Sequence, residues 1–317
     1  MKALPFLCCL ARPSALLRAT VVDLLIFAGH VLLYPTGIHQ ERRAAGLLLE
    51  PDDTVRHPSN QHGAPSERST DPEPDPGRRP ARAPDPSAAR ARTPSSTRPL
   101  PPPKDDAHAP VLLLHGFIDN RSIFVLLRRS LVRHGWRHVE ALNYSPLTCD
   151  IRKAAELLGR HVEGFCERTG HQRVDVVGHS LGGLIARYYV QRLGGDRRVR
   201  TLVTLGTPHA GTRVAPVMSA HPIVRQMRPD SEVIAELARP APNCRTHFVC
   251  FWSDLDQLMV PVGTARIDHP DLIAHSVRVS GVGHLALPVN GAVAAGIREA
   301  LTAAEAAQGT DHAISVA

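Results

Sequence analysis

The 317-residue sequence is short of several things at once, and each shortage narrows what it can be. Aromatic residues make up 4% of the chain, and residues 51–106 contain no Phe, Trp or Tyr. With almost no aliphatic side chains and 14 of the 28 prolines, residues 51–106 cannot bury enough apolar surface to offset the entropy of ordering them. They read as a disordered Pro-rich linker. The six cysteines (Cys8, Cys9, Cys149, Cys166, Cys244 and Cys250) form no CxxC pair and no metal-ligand spacing, so they give no ground for a zinc site. Their even number leaves disulfide pairing open. There is no internal repeat. Basic runs with interleaved aromatics are also missing, which argues against a nucleic-acid partner.

The formal charge of +7 does not come from the linker, where nine basic and nine acidic residues cancel. The first 50 residues carry five basic and three acidic side chains, which leaves about +5 on residues 107–317. It is spread without clusters, so an anionic partner is not expected.

Residues 15–34, ALLRATVVDLLIFAGHVLLY, are mostly apolar and approach the ~20 residues that a bilayer span requires. Arg18 and Asp23 interrupt them, and a charge near the bilayer centre costs about 2.5 to 3.5 kcal/mol. Three readings of this segment stand. The first is a membrane anchor within residues 1–50, with Lys2, Arg12 and Arg18 on the cytoplasmic side. The second is a helix docked on the catalytic domain or lying in the membrane interface. The third, a cleaved signal peptide, is disfavoured because no A-x-A-like site follows. The expected location is membrane-anchored or extracellular.

From residue 107 to 306 apolar runs alternate with amphipathic stretches, the pattern of βα units around a mostly parallel sheet. Strands are expected at 111–114, 138–144, 173–178, RVRTLVTLGT (198–207), 246–252 and 276–280. Helices are expected at 122–134, from the Asp150 N-cap to about Gly170, from the GHSLGG segment through Leu193, and over 289–306. Residues 307–317 read as a tail. The predicted fold class is α/β, with about six strands and helices on both faces.

Chemistry enters at Gly178-His179-Ser180-Leu181-Gly182, a G-x-S-x-G sequence between an apolar strand and an amphipathic helix. Such a turn needs small residues at both glycines and exposes the serine oxygen at a helix N-terminus. The plain alternative is a Gly-rich turn with Ser180 as a helix cap. Two further elements favour catalysis. VLLLHGF (111–117) ends a strand with His-Gly, so the Phe117 and Leu181 amides can both face an oxyanion; losing one such donor typically costs about 2.7 to 4 kcal/mol. Serine also needs a base and an orienting carboxylate, which follow in the order Ser, Asp, His. His284, in GVGHL past the last strand, fits the base. FWSDLDQLMVP offers Asp254 and Asp256 as the carboxylate. Asp256 is favoured because a short apolar turn and Pro261 would fix its loop.

HGF, GHSLGG, LGTPHAGT, SDLDQLMVP and GVGHL, in this order over about residues 108–303, resemble the bacterial lipases and esterases of the α/β-hydrolase fold, of the triacylglycerol lipase-like type. The resemblance implies a Ser180, Asp256 and His284 triad with Phe117 and Leu181 as oxyanion-hole amides. It also implies a serine hydrolase cleaving carboxylic esters of small molecules or lipids through an acyl-enzyme; the anchor-like segment motivates the alternative of a membrane-associated acyltransferase using the same triad. LGTPHAGT (205–212) is similar to a segment that shapes the acyl pocket, and RQMRPDSEVIAEL (225–237) to a small cap helix. No cofactor and no metal are expected. A large mobile lid is not expected either, since only some 25 residues separate TPHAGT from the next helix.

Overall fold

The structure, a computed structural model, describes residues 14–29, 108–144, 150–214 and 221–314. The linker at 51–106, and with it Cys8, Cys9 and Cys149, lies outside the described residues. Six strands form one all-parallel sheet: β1 (Val111–Leu114), β2 (Val139–Leu142), β3 (Val174–His179), β4 (Val199–Leu205), β5 (His247–Ser253) and β6 (Ile273–Val279). Their spatial order is β2-β1-β3-β4-β5-β6. The chain therefore leaves β1 toward one edge and returns to β3 on its other side. This reversal opens a crevice beyond the carboxyl ends of β1 and β3, the place where ligands bind in open α/β sheets.

β1, β3 and β4 are buried at every position and are mostly apolar, because helices cover both faces. Between those faces lie α2 (Val125–Arg133), α3 (Ile151–Thr169), α4 (Leu181–Arg192), the short cap helices α5 (Pro222–Arg225) and α6 (Glu232–Leu237), and α7 (Gly291–Ile314). One core joins α3, α4 and the cap helices to the sheet through residues such as Leu158, Ile185 and Val233. The other joins α2 and α7 through Phe124, Leu131, Ile297 and Leu301. The helix boundaries follow the expected chemistry. The Asp150 side chain caps α3 by accepting from Arg152 N–H at 2.8 Å, and Gly170 ends it at φ 73°. Residues 121–124, expected to be α-helical, instead form a 3-10 turn capped by Asn120. β6 begins three residues before the expected strand, because its backbone follows the ladder of β5 from Ile273 onward.

The apolar N-terminal segment appears as helix α1, residues 14–29. Among the described residues no helix is long and apolar enough to cross a membrane, and residues 30–34 of the apolar run lie outside them. Ala19 is buried and Ile26 packs against the α2/α7 core, while Leu17, Leu24 and Leu25 are more than 60% exposed.

Candidate active site

Ser180 stands at the end of β3 and directly before α4. Its φ of 52° lies in the left-handed region, a strain of about 1–3 kcal/mol for a non-glycine residue. Two glycines make the turn feasible. A Cβ on Gly178 would sit 2.5 Å from the Gly183 backbone, and one on Gly182 2.5 Å from the carbonyl oxygens of Leu114 and His115. The second contact brings the nucleophile turn against the end of β1, so the two backbones meet at the crevice. Leu181 is the first residue of α4, and its N–H belongs to the helix-terminal group that has no intrahelical acceptor. Its side chain goes into the core.

The loop after β1 is held by its own polar contacts. The Tyr144 hydroxyl donates to the His115 carbonyl and, at 3.1 Å, to that of Gly116. The Gly116 N–H donates to Asp119 Oδ2 at 3.3 Å. With the carbonyls of residues 115 and 116 engaged, the following Phe117 lines the cleft together with Ser180 and His284.

His284 lies in the turn after β6, 3% exposed, and its Nδ1–H donates to Asp256 Oδ2 at 2.8 Å. Asp256 in turn accepts from the backbone N–H groups of Leu258 at 2.9 Å and Met259 at 3.1 Å, which fix the carboxylate under the imidazole. Asp254 points elsewhere, to Arg278 at 2.6 Å on the surface. Burial by itself would lower the His284 pKa, but the carboxylates of Asp256, Asp119 and Asp23 outweigh it and hold it above the usual imidazole value.

His179, the variable residue inside G-x-S-x-G, is fully buried and links three parts of the site. Its Nδ1 donates to Asp119 Oδ2 at 2.6 Å, and its Nε2 faces the His284 carbonyl oxygen at 3.2 Å. The loop after β1 and the turn after β6 are thereby tied to β3. Sequence reasoning quoted His179 without a role and passed over Asp119 and Tyr144. The signal for Asp119 was its place three residues after Gly116, but only the fold brings it to His179.

The cleft encloses about 510 Å³ of non-atom space, the open solvent at its mouth included. Its walls are apolar: Phe117 and Ile118 from the loop after β1, Pro208 from LGTPHAGT, Val224 and Met227 at the cap, and Met259 beside Asp256. The expected acyl-pocket segment and cap do border the serine. Buried Arg187 of α4 supports this wall by donating to the carbonyls of His209 at 3.0 Å and Leu237 at 3.2 Å. Among the described residues no group of His, Cys, Asp and Glu is placed to hold a metal, and Cys166, Cys244 and Cys250 are free thiols.

The family model of palmitoyl protein thioesterases matches residues 110–260, a stretch that includes Ser180 and Asp256 and ends before His284. A triacylglycerol lipase of Pseudarthrobacter phenanthrenivorans is 31% identical over 114 residues, 33% of this chain and 35% of that protein. The match thus spans about one third of that curated relative. The mature lipase BlEst2 of Bacillus licheniformis superimposes with a TM-score of 0.50 at 14% identity, covering 58% of this chain and 88% of that one. At that identity the likeness speaks for the fold. The chain has the α/β-hydrolase fold and is similar in sequence to lipases and thioesterases.

Proposed function

We propose that the protein cleaves carboxylic esters of apolar acyl chains through an acyl-enzyme on Ser180. One observation carries this reading: a buried histidine, oriented by a carboxylate at 2.8 Å, shares an apolar cleft with a serine on a strained strand-to-helix turn. In this reading Ser180 Oγ attacks the acyl carbonyl and passes its proton to Nε2 of His284. Asp256 holds the tautomer that leaves Nε2 free to accept it and stabilises the imidazolium. The carbonyl oxygen, now negative, is met by the Phe117 and Leu181 amides. His284 then returns the proton to the departing alkoxide, and water repeats the sequence on the acyl-enzyme. A thioester would enter by the same steps, since only the leaving group differs.

The lining favours a lipid or acylglycerol ester, because burying each methylene in such a cleft contributes about 0.8 kcal/mol. Wild type and Ser180→Ala should be compared on p-nitrophenyl esters of short and long acyl chains, together with labelling by a fluorophosphonate. The expected result is loss of turnover and of labelling in the variant, with wild-type kcat/KM rising with chain length. Equal activity of the two proteins would sink the reading. The same acyl-enzyme would serve an acyltransferase if an alcohol replaced water as acceptor. Product partition that shifts toward a transferred ester as alcohol is added would favour that alternative.

A further inference from the structure

The apolar N-terminal run carries one acid, Asp23, which the hydrolytic steps above do not use. In the folded chain it reaches from α1 into the turn that carries His284. Its Oδ1 accepts from the Ala286 N–H at 3.1 Å, two residues past His284. The turn has room for this group because residue 283 is glycine; a Cβ there would overlap both Asp23 carboxylate oxygens. One turn away on the same face of α1, Thr20 Oγ1 accepts from Gln257 Nε2 at 2.5 Å, next to Asp256. One face of α1 thus touches both loops that deliver the histidine and its carboxylate.

The turn that carries His284 is consequently held by Asp23 at the Ala286 N–H, and the His284 carbonyl oxygen lies 3.2 Å from His179 Nε2. An ionised acceptor makes a hydrogen bond roughly twice as strong as a neutral one, so this acid pins the turn better than water would. We propose that Asp23 is a positioning residue for His284, which makes α1 part of the active-site architecture. The proposal rests on His284 being the base. Asp23 also acts through charge. Burial holds its own pKa above the usual carboxylate value against the pull of His284, and with Asp256 and Asp119 it favours the protonated imidazole; the His179 ring, 4.8 Å away, packs on the remaining side.

The test uses the full-length chain with Asp23→Ala and Asp23→Asn and two readouts. In amide hydrogen exchange, Asp23→Ala should speed exchange at Ala286, whereas Asp23→Asn, which keeps an oxygen acceptor, should stay near wild type. In turnover of a short p-nitrophenyl ester, Asp23→Ala should lower kcat about tenfold at nearly unchanged KM, the scale of one charge-assisted bond, and Asp23→Asn should restore most of it. Both variants should move the acid limb of kcat/KM to lower pH, because each removes a negative neighbour of His284. Unchanged exchange in Asp23→Ala overturns the proposal. An equal kcat loss in both variants with an unmoved acid limb also overturns it, since a merely structural role would give that. Should Asp23→Ala fail to fold, the acid limb of Asp23→Asn decides: shifted supports, unshifted overturns. A wild type that neither turns over esters nor labels with fluorophosphonate sinks the hydrolytic reading, while exchange still reports on the turn.

Discussion

Two aspartates two residues apart have opposite fates, and the difference is set by what each side chain meets. Asp256 is 2% exposed, accepts two backbone N–H groups and the His284 ring; Asp254 faces solvent and Arg278. An exposed ion pair is worth about 0–1 kcal/mol, so Asp254→Asn should leave kcat/KM close to wild type. Asp256→Asn keeps the shape but reverses the tautomer preference of the imidazole, and in a serine triad that change costs up to about 10⁴-fold in kcat. The pH profile separates them further. His284 must be neutral to act as base, and its neighbouring carboxylates hold its pKa up, so the wild-type acid limb should lie above the ~6.5 of an ordinary imidazole. Removing the Asp256 charge should move that limb to lower pH; Asp254→Asn should not move it. A limb below that value in wild type, or the larger loss in Asp254→Asn, would reverse the assignment.

At the scale of elements, the site depends on β3 and α4 meeting β1 almost backbone to backbone. The atoms facing Gly182 are the carbonyls of Leu114 and His115, which cannot turn aside as a flexible side chain could. Gly182→Ala should therefore force the nucleophile turn away from the oxyanion loop, costing at least the ~1–3 kcal/mol of an overpacked core. Gly291→Ala, at the start of α7 where a Cβ meets nothing within 4 Å, is the matching control. Urea midpoints and fluorophosphonate labelling rates read both effects, and equal midpoints for the two variants would contradict this account. The element signals were legible where local chemistry sets them, as in the Asp150 cap, Gly170, and the apolar runs of β1, β3 and β4. α1 was not. Its exposed face carries Leu17, Leu24 and Leu25 while its polar Thr20 and Asp23 turn toward the domain, the reverse of the usual amphipathic pattern, so periodicity alone could not orient it.

For the whole molecule, the end of the sheet opposite the cleft is tied by charge. Arg200 on β4 donates through Nε to Asp175 on β3 at 2.9 Å and through Nη2 to Glu305 on α7 at 3.1 Å. Glu305 also holds the chain entering β1, through His108 Nδ1 at 2.9 Å and Ala109 N–H at 3.1 Å. Both Asp175 and Arg200 are nearly inaccessible to water, and burial raises the Asp175 pKa against the pull of Arg200. Removing one partner of such a pair strands the other, at a typical cost of about 3–5 kcal/mol. Asp175→Ala should lower the urea midpoint accordingly while the folded fraction keeps its kcat. A stability equal to wild type would show that the network contributes nothing.

The sequence by itself determined the βα alternation, the nucleophile turn and the identity of the histidine after the last strand. These are properties of local periodicity and of residue types that a sharp turn tolerates. It narrowed the carboxylate to two positions and left the N-terminal helix with three readings. Tertiary structure brought His284 to Asp256, 28 residues earlier, and Ala286 to Asp23, 263 residues earlier, through contacts between segments far apart in the chain. The Asp119–His179 link, across 60 residues, was out of reach for the same reason. Such pairings are set by the order of strands in the sheet, which brings the loops after β1, β3, β5 and β6 to one edge, and no local pattern encodes that distance.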